Sequence, residues 1–156
     1  MTRVLIDNNC IDTLRDNEEM YAELSQSHEF LVSSSVVEEL AGIPDTKKEI
    51  RIQTFLAFSK AQVKFVTDAV AVWDVSRWNY ARWPEERTIE VYEKILNKEK
   101  SNIRDAIIAA TAVMESCILL TNDTKLTTKM KNNNYAVMSF SELYSIYQAS
   151  KGDTTL

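Results

Sequence analysis

The stretch Val4-Leu5-Ile6-Asp7-Asn8-Asn9 decides the fold. Three successive apolar residues show no polar alternation, so both faces of the segment must be covered. A short strand buried inside a parallel sheet reads this way. The run stops at Asp7, and Asp7-Asn8-Asn9 marks a helix start.

The same unit recurs outward along the chain. Phe30-Leu31-Val32-Ser33, Val63 to Val66, Ile118-Leu119-Leu120-Thr121 and Tyr135 to Met138 are further short strands. Helical stretches lie between them. Ile11 and Leu14 continue an apolar face, and Glu18 to Ser25 forms a second helix. Ser35 opens a helix with Val36, Val37 and Leu40 that ends near Gly42 and Pro44. Lys48 to Ala61 carries Ile52, Phe55, Leu56 and Ser59 at helical spacing. Asp68 to Trp83 is expected to be helical, with Ala69, Val72, Trp73, Ser76 and Tyr80 near one stripe. Pro84 interrupts it, and Glu86 to Lys98 resumes. Asn102 to Ser116 turns Ile103, Ala106, Ile107, Ala110 and Met114 to the core. A short helix begins at Asp123 or Thr124, and Ser141 to Ala149 is the last. Strands alternating with helices predict an α/β fold of three layers, α/β/α, around a mainly parallel sheet of about five short strands. No repeat or linker interrupts the pattern. A single domain over 1–150 with a frayed tail at 151–156 is expected.

Composition narrows the class. The 156 residues hold two Gly and two Pro, too few breakers for a disordered or all-β chain. Hydrophobic residues make up 45% and charged residues 26%, the balance of a soluble domain. No apolar run approaches the ~18 residues of a membrane span, and no secretory leader is visible. Cys10 and Cys117 sit in apolar segments without CxxC spacing, so buried thiols in a reducing cytoplasm are expected. The formal net charge of −5 excludes a protein that grips nucleic acid by overall charge. It leaves room for a nuclease, because carboxylates reserved for metal ions count in that total.

The acids fall in a pattern. Ligands of open α/β sheets bind beyond the carboxyl ends of the strands. Asp7 directly follows the first strand and Asp123 lies two residues beyond Leu120-Thr121. Glu38 or Glu39, and Asp105, lie in the first turns of helices. Each acid alone has a plain structural use: helix cap for Asp7 and Asp123, capping box with Asn102 for Asp105, or favourable interaction with a helix dipole. Ser35 as N-cap would engage Glu38 in a capping box, which leaves Glu39 for the site and Glu38 as runner-up. Taken together, converging carboxylates cannot all stay ionised without a cation. Oxygen-only ligands suit Mg²⁺ or Mn²⁺, ions that drive phosphodiester cleavage. His28, the one histidine, lies in a polar stretch and is expected to be a solvated loop residue.

These segments also carry a resemblance. VLIDNNCI, SSSVVEELAG, RDAIIAATAVM and LLTNDTKL resemble, in order, the four motifs of PIN-domain nucleases. The resemblance implies a Mg²⁺- or Mn²⁺-dependent ribonuclease with Asp7, Glu39, Asp105 and Asp123 as the catalytic, metal-binding acids. Asn9 and Thr121 match the supporting amide and hydroxyl positions. Asn8 stands where Thr is usual, and Lys125-Leu126 replaces an expected acid and Phe, which weakens the case for a second metal. Many small members of the family are dimeric toxins of bacterial toxin–antitoxin pairs, so an RNA substrate, an antitoxin partner and a homodimer are implied, with no membrane.

Three tryptophans, Trp73, Trp78 and Trp83, are spaced by five, with Arg77, Arg82 and Arg87 interleaved. At about 100° per residue, successive rings turn by about 140°, so all three cannot face one core. Arg77, Trp78, Arg82 and Trp83 therefore form an RNA platform or, in preference, a protein interface. The alternative to a ribonuclease is a non-catalytic PIN-like module that binds a partner protein or RNA. A haloacid-dehalogenase-type phosphatase is disfavoured, because Asn9 stands where its second Asp belongs.

Overall fold

A computed structural model describes residues 1–72 and 83–152. Five strands form one wholly parallel sheet in the order β3-β2-β1-β4-β5. They are β1 (Thr2–Ile6), β2 (His28–Ser33), β3 (Lys64–Val66), β4 (Ile118–Leu120) and β5 (Val137–Met138). The helices are α1 (Ile11–Asp16), α2 (Glu18–Leu24), α3 (Ser34–Ala41), α4 (Lys48–Lys60), α5 (Glu86–Leu96), α6 (Ile103–Met114), α7 (Thr124–Asn132) and α8 (Phe140–Gly152).

Side chains alternate across a strand, so an uninterrupted apolar strand feeds two cores. Val4 and Ile6 enter one, with Phe30, Val32 and Leu120 from the neighbouring strands and Leu14, Tyr21, Phe58 and Leu143 from helices. Leu5 enters the other, with Leu31 and Leu119, beneath Val91, Ile95, Ala106, Ala109 and Leu126. The helices thus divide into two outer layers, and the predicted three-layer architecture is the observed one. Among the described residues, no helix is long and apolar enough to cross a membrane.

Three local expectations need correction. The stripe on α4 is buried only in part: Phe55 packs against the core beside Thr54, Ala57 and Phe58, while Ile52 and Leu56 are exposed. Apolar residues lie on both sides of this helix, and the Thr54 hydroxyl is satisfied by the Ile50 carbonyl, so a polar residue can go inside. Asp68 to Val72 is not helical. The Asp68 and Ala69 amides are taken by the hydroxyls of Ser34 and Thr111 instead, and Ala69 is buried. The rest of that predicted helix, with Trp73, Arg77, Trp78 and Arg82, lies outside the described residues. His28 belongs to β2 rather than a loop; it is half-buried, bonds Ser27 and stacks on Phe30.

The two rims of the sheet differ in charge. At the amino ends of the strands, Arg3 pairs with Glu29 at 2.7 Å and with Glu115 at 3.1 Å, and Lys64 also pairs with Glu29. The carboxyl ends carry the acids. Strand order runs from β1 outward through β2 to β3, then restarts with β4 on the far side of β1. The gap between the ends of β1 and β4 is therefore the switch point of the sheet, the place where open α/β sheets form their ligand crevice.

Candidate active site

Asp7 leaves β1 at this crevice, and its backbone amide still bonds the Leu120 carbonyl of β4 at 2.9 Å. Its side chain is fixed on both oxygens. Oδ1 accepts from the Asn8 amide at 2.7 Å, while Oδ2 accepts from Thr121 Oγ1 at 2.8 Å and Asn9 Nδ2 at 2.9 Å. Asn9 in turn accepts from the Asn122 amide at 3.0 Å, which ties the turn after β1 to the turn after β4. Asn122 extends the chain of bonds by accepting from the Phe140 amide at the start of α8. Asn9 and Thr121 therefore orient Asp7.

Asp123 is the N-cap of α7. Its Oδ1 accepts from the amides of Lys125 and Leu126 at 2.8 and 2.9 Å, so its structural use is real. That use engages one carboxylate oxygen. Asp105 lies in the first turn of α6, and the expected capping box with Asn102 does not form. Asn102 donates instead to the Leu96 carbonyl and to Glu99, so Asp105 has no capping duty toward it.

The three aspartates share one electrostatic environment. Burial pushes the Asp7 carboxyl above its ordinary value; bonds from Thr121 and Asn8 oppose the shift, and the charges of Asp105 and Asp123 add to it. Asp105 is raised by burial and then by Asp123, with Lys129 pulling the other way. Cys10, beneath Asp7, is pushed up to about 12, first by burial and then by the Asp7 charge. It is a buried thiol, as is Cys117.

Glu39 is bonded to the sequence neighbours of two members of this trio. Its two oxygens are engaged by Asn8 Nδ2 and by the guanidinium of Arg104. Ser35 is not the N-cap expected of it. The helix starts at Ser34 rather than after Ser35, with Ser33 at the cap position, so Ser35 makes no capping box with Glu38. Ser35 donates to the buried carboxylate of Asp68 at 3.1 Å and shares a 2.9 Å contact with Ser33. Glu39 lies beside an open groove of roughly 260 Å³ that it lines with Asn8, Ile11 and Leu40.

Among the described residues, no group of three or more His, Cys, Asp or Glu side chains stands close enough to hold a metal ion as placed. The structure brings Asp7, Asp105 and Asp123 within mutual electrostatic reach and leaves Glu39 on an arginine. The donor chemistry nevertheless fits a hard divalent cation. The carboxylates are oxygen donors, and Asp7 and Asp105 are held where their ionised forms are disfavoured by burial and like charge. Asn8 and Arg104 were not among the expected site residues. The only sign of Arg104 was its place beside Asp105 in the third motif. Trp83 is 89% exposed, in keeping with a ring left outside the core.

No curated protein matches the sequence significantly. The sequence model of the PIN domain matches residues 4–131. Three solved structures are similar in fold. PAE2754 from Pyrobaculum aerophilum has a TM-score of 0.60 at 16% identity, covering 95% of this chain and 98% of its own. VapBC2 from Rickettsia felis, determined bound to a DNA fragment from its promoter, has a TM-score of 0.58 at 14% identity, covering 88% and 98%. VapBC-1 from nontypeable Haemophilus influenzae has a TM-score of 0.55 at 18% identity, covering 90% and 99%.

Proposed function

We propose that this chain, which belongs to the PIN-domain family, is a Mg²⁺- or Mn²⁺-dependent endoribonuclease and the toxin of a bacterial toxin–antitoxin pair. The observation that carries the reading is the gathering of Asp7, Asp105 and Asp123 at the switch point of the sheet, with two of the three carboxyls held above their ordinary values. Such a site gains most from a cation that relieves the repulsion.

Asp7, Asp105 and Asp123 would hold the ion, with Glu39 as the fourth acid. Bound there, a divalent ion supplies an activated water and neutralises charge on the phosphate and the leaving oxygen. Thr121, Asn9 and the Asn8 amide keep the Asp7 carboxylate in a single orientation. Lys129, already sensed by Asp105, adds positive charge beside the acids for an approaching polyanion. The likeness to the VapBC structures supports an antitoxin partner, and the exposed Trp83 supports an interface on the segment that also holds Arg77, Trp78 and Arg82. Residues 1–150 would act as one domain, as a homodimer in the cytoplasm.

The test is cleavage of RNA by purified protein with Mn²⁺. Wild type should cut, excess EDTA should stop it, and Asp7→Asn should abolish it while the circular dichroism spectrum stays native. Undiminished cleavage in EDTA or in Asp7→Asn would sink the reading. The ion pair of Glu39 with Arg104 favours a second reading, a non-catalytic module that binds a partner protein or RNA. Calorimetric titration with Mn²⁺ separates the two, since the module should bind none.

A further inference from the structure

Glu39 has a cation already. Arg104 Nη1 meets Glu39 Oε1, and Asn8 Nδ2 meets Glu39 Oε2, so both oxygens face nitrogen donors. Arg104 is the second residue of α6 and directly precedes Asp105, while Glu39 lies on α3, 65 positions away in sequence. The pair therefore spans the mouth of the crevice, between the helix that bears Asp105 and the helix beside the groove. The Arg104 side chain is 79% exposed, so the contact is a surface pair in solvent, of a kind that yields readily to competition. A guanidinium and a divalent ion compete for the same carboxylate lone pairs.

We propose that Arg104 is a built-in counter-cation for Glu39, which a divalent ion must displace before Glu39 can join Asp7, Asp105 and Asp123. The inference rests on the proposed cation site. It gives the fourth expected acid a partner while no divalent ion is bound. It also makes the rim of the cation-free protein less negative, because the pair offsets one negative charge beside a place where three more converge. Once displaced, Arg104 is a free guanidinium beside the crevice, available to a phosphate oxygen.

Titration of the full chain with MnCl₂ tests it, read by calorimetry rather than by cleavage. Arg104→Ala should bind Mn²⁺ about two- to fivefold more tightly than wild type, the range expected when a surface pair no longer competes. The gain should largely vanish in the background of Glu39→Gln, where there is nothing to displace. Unchanged or weaker binding in Arg104→Ala overturns the proposal. So does an equal gain with and without Glu39→Gln, which would mean only that a positive charge had been removed. If Glu39→Gln itself abolishes binding, comparison with Lys129→Ala decides. Lys129 also faces the acids but makes no pair with Glu39, so an equal gain there overturns the proposal and a clearly larger gain in Arg104→Ala supports it. Absence of Mn²⁺ binding in wild type and every variant would refute the cation site itself, and the counter-cation with it.

Discussion

Thr121 Oγ1 donates a 2.8 Å hydrogen bond to Asp7 Oδ2, fastening the end of β4 to the end of β1. The hydroxyl is fully buried and also accepts from the Asp123 amide at 3.1 Å. Thr121→Val keeps the shape and removes both functions. Leaving a buried carboxylate and amide without this partner should cost about 1–3 kcal/mol of stability. Urea denaturation should show the loss, and Thr121→Ser, which restores the hydroxyl, should recover most of it.

The capping role of Asp123 can be separated from its proposed role at the cation site. Asn caps a helix about as well as Asp, whereas Ala does not. Asp123→Asn should therefore stay within about 0.5 kcal/mol of wild type, while Asp123→Ala loses about 1 kcal/mol of stability. Both should fail to cleave RNA with Mn²⁺. An active Asp123→Asn would reduce this residue to a cap.

Stability without metal should depend on pH through Asp7. Burial, with Asp105 and Asp123 nearby, holds its carboxyl above the ordinary value in the folded chain. The folded state then keeps a proton that the unfolded state has released. This contribution is fully present below the unfolded carboxylate range and is lost as pH rises through the raised folded value. Asp105 acts in the same direction. In EDTA, melting temperatures taken from about pH 4 to about pH 7 should fall less steeply for Asp7→Asn than for wild type. Parallel curves would show that Asp7 ionises freely.

The strands were legible because burial on both faces leaves a local mark: Val4 to Ile6 and Ile118 to Leu120 have no polar residue to turn outward. Helices were legible by period, but their faces less so. On α4, Ile52 and Leu56 satisfy the helical spacing as well as Ala57 and Phe58 do, and only the packing of α1 and α2 against it selects the buried side. The segment after β3 failed for a related reason. Its amides are claimed by Ser34 and Thr111, partners 34 and 42 positions distant. Asp7 stood out by lying at a strand end, whereas Asn9 and Thr121 were marked only by the family resemblance. The Arg104–Glu39 pair did not, since opposite charges far apart in sequence leave no pattern until the fold closes the distance.

The clasp of Arg3 with Glu29 and Glu115 sits at the opposite rim of the sheet from Asp7. One set of strand clasps is thus distant from the acids, while Thr121 ties β1 to β4 beside them. A chain that loses one acid by a single base change would keep its shape and its outer surface. Under the proposed function, such a copy would keep the surface offered to a partner while losing its chemistry.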